Sequence, residues 1–102
     1  MRTLNFVVDK QILRKHGDFS GLVAGSHGYL QAQFSFSGDW SGYRKVAVFR
    51  CNGAEYPVLL SGNSCSVPDE AAAGQTFKVY VVGKRGDSQL RSGHVTVIQR
   101  RY

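Results

Sequence analysis

"YLQAQFSFSGDWSGYRKVAVFRC", residues 29–51, decides how this chain folds. Its first half alternates, with Leu30, Ala32, Phe34 and Phe36 on one side, which is the period of a half-buried strand. Its last part reads both ways: Ala47, Phe49 and Cys51 share one face, Val46 and Val48 the other. A strand apolar on both faces suits a central position covered on both sides. Between the two lies Trp40, held between Ser-Gly turn segments.

Period two extends outward from there. "LNFVVD" at 4–9 starts a strand, and "CNGAEYPVLL" at 51–60 places an Asn-Gly pair between extended runs, a hairpin signal. Pro57 has no N–H for a ladder and belongs at an edge, a strand start or a bulge. In "QTFKVYVVGKRGDSQL" at 75–90, Phe77, Val79 and Val81 share a face and Gly83 and Gly86 open a turn; in "SGHVTVIQR" Val95 and Val97 point inward. The segment at 11–28 is cut by four glycines and reads as short pieces joined by turns. Only "SVPDEAAAG" at 66–74 is helix-like: Pro68 opens it, Asp69 and Glu70 follow and Gly74 closes, giving one short turn near 68–73. The expected fold is all-β, an immunoglobulin-like antiparallel β-sandwich of about seven strands, as one domain over residues 1–102.

The totals agree with a small domain. Apolar residues make up 42% of 102, enough for one modest core. Net charge is +6, from 13 Lys and Arg against 7 Asp and Glu, which permits a polyanionic partner without requiring one. No apolar stretch approaches the roughly 20 residues of a membrane helix, and the N-terminal residues lack a signal-peptide pattern. Synthesis in a cytoplasm follows, with Cys51 and Cys65 read as free buried thiols.

Catalytic patterns are missing from the sequence. His16 and His27 stand in Gly-bounded turns and His94 in a strand, without ligand spacing. No nucleophile elbow, phosphate-cradling glycine fingerprint or carboxylate pair is visible. The chain therefore reads as a non-enzyme with no metal and no cofactor. "RGDS" at 85–88 matches an adhesion tripeptide, but a turn explains it: Gly86 supplies a positive φ and Asp87 caps. The tip Lys84, Arg85 and Asp87 is a candidate contact loop. Arg44, Lys45 and Lys78 form a candidate basic surface that Tyr43, Tyr80 and Trp40 could complete as a base-stacking platform. Against this, other cations are spread, and Arg44 and Arg50 flank a strand as solvated ends do. Trp40 itself reads either as a lid over the open end of the core, its indole nitrogen on a carbonyl or water, or as a stacking residue. The alternatives to an assembly role are thus a single-stranded nucleic-acid-binding or carbohydrate-binding module.

The order of features resembles a known family. An aromatic strand (Phe34, Phe36) is followed by Trp40, then Lys45, Ala47 and Phe49, then Tyr56, Val58 and Leu60. Cys65, Val67 and Pro68 come next, then Phe77, Val79, Val81 and Gly83. Over residues 29–99 this resembles the N-terminal immunoglobulin-like β-sandwich domain of baseplate and tail structural proteins of phages of Gram-positive bacteria. The resemblance implies a structural role, anchoring a fibre or receptor-binding component to other tail or baseplate proteins. It implies homo-oligomeric or ring-associated partners rather than nucleic acid or membrane, and a location in the host cytoplasm and then in the virion tail. It carries no catalytic residues.

Overall fold

The computed structural model describes residues 1–101; Tyr102, the last residue of the expected domain, lies outside them. The alternating stretches become nine strands in two sheets. One sheet contains β1 (Arg2–Asp9), β2 (Ile12–His16), β3 (Leu30–Phe36) and β6 (Ser64–Ser66), in the order β2-β1-β3-β6. The other contains β4 (Arg44–Cys51), β5 (Ala54–Leu59), β7 (Thr76–Arg85), β8 (Ser88–Arg91) and β9 (Val95–Ile98). Here β5, β4 and β7 are neighbours, and β8 and β9 share the far side of β7. Helix is confined to α1 (Asp69–Ala72), after Pro68 as N-cap, and to one 3-10 turn at Gly38–Trp40.

The fold is the all-β sandwich that the alternation predicts, with two differences of detail. Nine strands replace about seven, because β2, β6 and β8, of 5, 3 and 4 residues, carry no apolar alternation in their own sequences. One pair is parallel rather than antiparallel: β1 runs beside β3 with Leu4 opposite Ala32 and Phe6 opposite Phe34. β2 returns the chain antiparallel to β1, so the connection at 17–29 has only to cross from one side of β1 to the other at the end where β3 begins. Asn52 and Gly53, at φ +51 and +78, form the β4–β5 turn, and Pro57 lies in the edge strand β5.

The inner faces meet as one core. Leu4, Phe6 and Val8 from β1 and Ala32 and Phe34 from β3 face Ala47, Phe49, Phe77, Val79, Val81 and Val97. Cys51 and Cys65 are buried there as free thiols, and burial pushes the Cys65 thiol up to about 11. Trp40 ends the core on the side where the chain crosses from β3 to β4. It is 0% exposed, its ring packs 5.3 Å from Phe36, and its indole N–H donates to the Lys10 carbonyl at 2.6 Å.

Gly83 was expected in a turn but lies within β7, facing inward opposite Lys45. A Cβ at that position would come within 3.0 Å of Trp40 Cζ3 and 3.1 Å of Tyr43 Cβ. The glycine admits the indole.

The turn between β1 and β2 ties the sandwich together. Lys10 sits at φ +56, costly for a lysine. It is held by its own N–H on Ser37 Oγ and by Trp40 on its carbonyl. Next to it, the Gln11 carbonyl accepts from Gly93 N–H, and the Gln11 side-chain amide donates to the Arg91 carbonyl. Segments near both ends of the chain are thereby joined to the middle.

Candidate functional site

β4 and β7 each carry the same alternating pattern on the face turned away from the core. In β4 it is Arg44, Val46, Val48 and Arg50; in β7 it is Lys78, Tyr80, Val82 and Lys84. Each strand is thus cation, apolar, apolar, cation. Because the two strands run antiparallel, the register lays one pattern on the other: Arg44 opposite Lys84, Val46 opposite Val82, Val48 opposite Tyr80, Arg50 opposite Lys78. The neighbours extend the rows. Leu59 and Pro57 of β5 continue the apolar rows beside Val46 and Val48, and Arg91 of β8 stands beside Val82.

The result is an apolar band closed at both ends by pairs of cations. Leu59 is 56% exposed, and Val46 and Val82 are half-buried. Val48 and Tyr80 lie deeper, at 7% and 9%, between the stems of the surrounding long side chains. Tyr80 is fixed in place: its hydroxyl donates to Glu55 Oε2 at 2.8 Å and the Arg91 guanidinium lies 4.3 Å over its ring. Burial first, then the Glu55 carboxylate, raises the Tyr80 pKa above the ordinary phenol value. Glu55 is the sole carboxylate in these rows, facing Arg50 across β4–β5. Two cross-strand pairs, Arg44–Lys84 and Arg50–Lys78, therefore set like charges opposite each other, an arrangement that destabilises a sheet.

The basic surface expected from Arg44, Lys45 and Lys78 is divided by the pleat. Arg44 and Lys78 belong to this face, at opposite ends of it. Lys45 alternates to the other side, where its Nζ donates to the Tyr43 carbonyl and lies 5.1 Å over the Phe36 ring. The expected platform is divided likewise. Trp40 offers no exposed ring, and Tyr43 lies beneath the Arg85 guanidinium at 4.8 Å, whereas Tyr80 belongs to the outer face. The contact loop separates in the same way: Lys84 joins the outer face, while Arg85 folds back onto Tyr43 and donates to the Ser41 carbonyl, leaving Asp87 exposed at the tip. An open cleft of about 420 Å³ adjoins this face where Arg44 and Leu59 meet Tyr43, Lys45, Leu60 and Asn63.

Sequence reading missed Arg50 and Arg91 as members of a surface and set Arg50 aside as a solvated strand end. The signal was present as the repeated cation–apolar–apolar–cation alternation in "RKVAVFR" and "KVYVVGK". Its meaning depends on the register that brings the two copies together.

Among the described residues, no group of three or more His, Cys, Asp and Glu is placed to hold a metal ion. Among the same residues, no helix is long and apolar enough to cross a membrane. No protein-family model matches the chain, and no curated protein matches it either.

Proposed function

We propose that this chain is a non-catalytic assembly domain that docks onto another protein through the outer face of its five-stranded sheet. The observation that carries the reading is the apolar band of Leu59, Val46 and Val82 on a face the core does not use. A contiguous apolar patch rimmed by polar residues is the usual character of a protein contact site. The resemblance to phage baseplate and tail domains supplies a setting, in which the domain anchors a fibre or receptor-binding component within the virion tail. At the β5 edge, which borders this face, strand pairing is disfavoured because Pro57 offers no N–H.

The test is the molecular mass in solution by light scattering over a concentration series, alone and with the product of the adjacent gene. A defined complex, above all one of three-fold or six-fold stoichiometry, is the expected result. A monomer that ignores that partner, and whose Val46 and Val82 tolerate Asn without any change in association, overturns the reading.

A further inference from the structure

We infer that the outer face of the five-stranded sheet takes an acidic protein surface, one that presents apolar side chains between two groups of carboxylates. The inference rests on the docking reading above and names the chemistry of the partner. Among the described residues, five cations, Arg44, Lys84, Arg50, Lys78 and Arg91, stand on this face against the single carboxylate of Glu55. That carboxylate is already engaged by the Tyr80 hydroxyl. The Arg44–Lys84 pair has no carboxylate opposite it, and the Arg50–Lys78 pair has Glu55 on the Arg50 side only; a carboxylate arriving between the members of each pair would relieve the repulsion.

Geometry adds a spacing. The pairs lie at the two ends of the same stretch of β4, about 20 Å apart at roughly 3.4 Å per residue, with the Leu59–Val46–Val82 and Pro57–Val48–Tyr80 rows between them. The complementary surface therefore carries carboxylates about that far apart on either side of an apolar centre.

Two other occupants fit less well. A second copy of the chain meeting this face through a two-fold axis would set cations against cations. A single-stranded nucleic acid would supply the anions, but it needs open aromatic faces for its bases. Among the described residues, the one aromatic ring on this face, Tyr80, is 9% exposed and covered by Arg91. Phosphates and sugars would also leave the apolar rows unmatched.

The experiment is an NMR titration of the isotopically labelled chain with three probes: a glutamate–tyrosine copolymer, poly-glutamate, and an oligothymidylate. The expected result is binding in the order copolymer, poly-glutamate, oligothymidylate, with amide shifts concentrated in β4, β5 and β7 and weakening as salt is raised. Lys78→Glu is expected to weaken copolymer binding by at least about tenfold while raising Tm by about 2–5 °C, since it turns a like-charge pair into an opposite one. Oligothymidylate binding as tightly as the copolymer overturns the inference in favour of nucleic acid, and absence of copolymer binding overturns it outright. Loss of binding in Val82→Asn but not in Lys78→Glu keeps the docking face and removes its acidic preference. Binding that neither variant changes overturns both the inference and the docking reading.

Discussion

The outer face of the four-stranded sheet and the outer face of the five-stranded sheet are built on the same pleat yet differ in kind. On the first, Thr3 stands beside Gln31 and Gln31 beside Ser66, Asn5 beside Gln33, and Val7 beside Ser35. Hydroxyls and amides dominate this face around Val7, β2 adds Ile12, Arg14 and His16, and no two lysines or arginines stand opposite each other. On the second, apolar rows occupy the middle and like charges oppose each other at the ends. Both sheets bury equally apolar inner faces, so the core does not require the difference. The four-stranded sheet carries an outer face without opposed like charges; the five-stranded sheet bears a repulsion that its own stability does not need. Such local conflict with folding rules is typical of binding sites.

Changes beneath, within and opposite the second face should separate these roles. The largest effect lies beneath both. Trp40→Ala opens a large cavity and frees the Lys10 carbonyl, and should cost about 3–5 kcal/mol in denaturant unfolding. A loss under about 1 kcal/mol would mean that the indole is dispensable to the core. Gly83→Ala should cost about 1–3 kcal/mol by pressing a methyl onto the same ring, and pairing it with Trp40→Phe should recover part of that loss.

Tyr80→Phe acts within the face. Removing the hydroxyl bonded to Glu55 should cost about 1 kcal/mol near neutral pH. It also bears on alkaline behaviour. A phenol whose pKa is raised by folding contributes stability that is intact below its ordinary value of 10.0 and is lost as pH climbs through the folded value. The buried Cys65 thiol acts in the same direction, between its ordinary 9.0 and about 11. Stability of the native chain should therefore fall above about pH 9, and more gently in Tyr80→Phe; parallel curves would remove Tyr80 from the account. The smallest effect is expected on the opposite sheet. Gln33→Lys should change stability by no more than about 0.5 kcal/mol and leave copolymer binding intact, whereas a Gln33 variant that weakened binding would erase the distinction between the two faces.

Much of this architecture was legible from alternation alone. β1, β3, β4 and β7 are long enough for period two to be unmistakable, and the Asn-Gly turn marked the β4–β5 hairpin. β2 and β6 escaped because strands of a few residues, surrounded by glycine and serine, draw their stability from pairing with β1 and β3 rather than from their own pattern. Gly83 looked like a turn residue because the indole that requires it lies far away in sequence. The face proposed for docking was half legible. Arg44 and Lys78 were singled out, but Lys45 was grouped with them although adjacent strand residues point to opposite sides. Arg50 and Arg91 gained meaning only when antiparallel pairing placed the two strands in register.

The clamp around Lys10 and Gln11 bears on how the chain reaches this state. Gln11 and Arg91 are 80 residues apart, and the β1–β2 turn gains all its partners only when both the Ser37–Trp40 and the β8–β9 segments are in place. β1 must likewise wait for β3, its parallel neighbour, because no tight turn can join the two. During synthesis the N-terminal hairpin therefore emerges with its partners unmade, and closure falls at the end of folding. Contacts of such long sequence separation make folding slow, in the millisecond-to-second range common for β-sandwiches. Until closure, the unpaired edge of β1 remains open to the wrong strand.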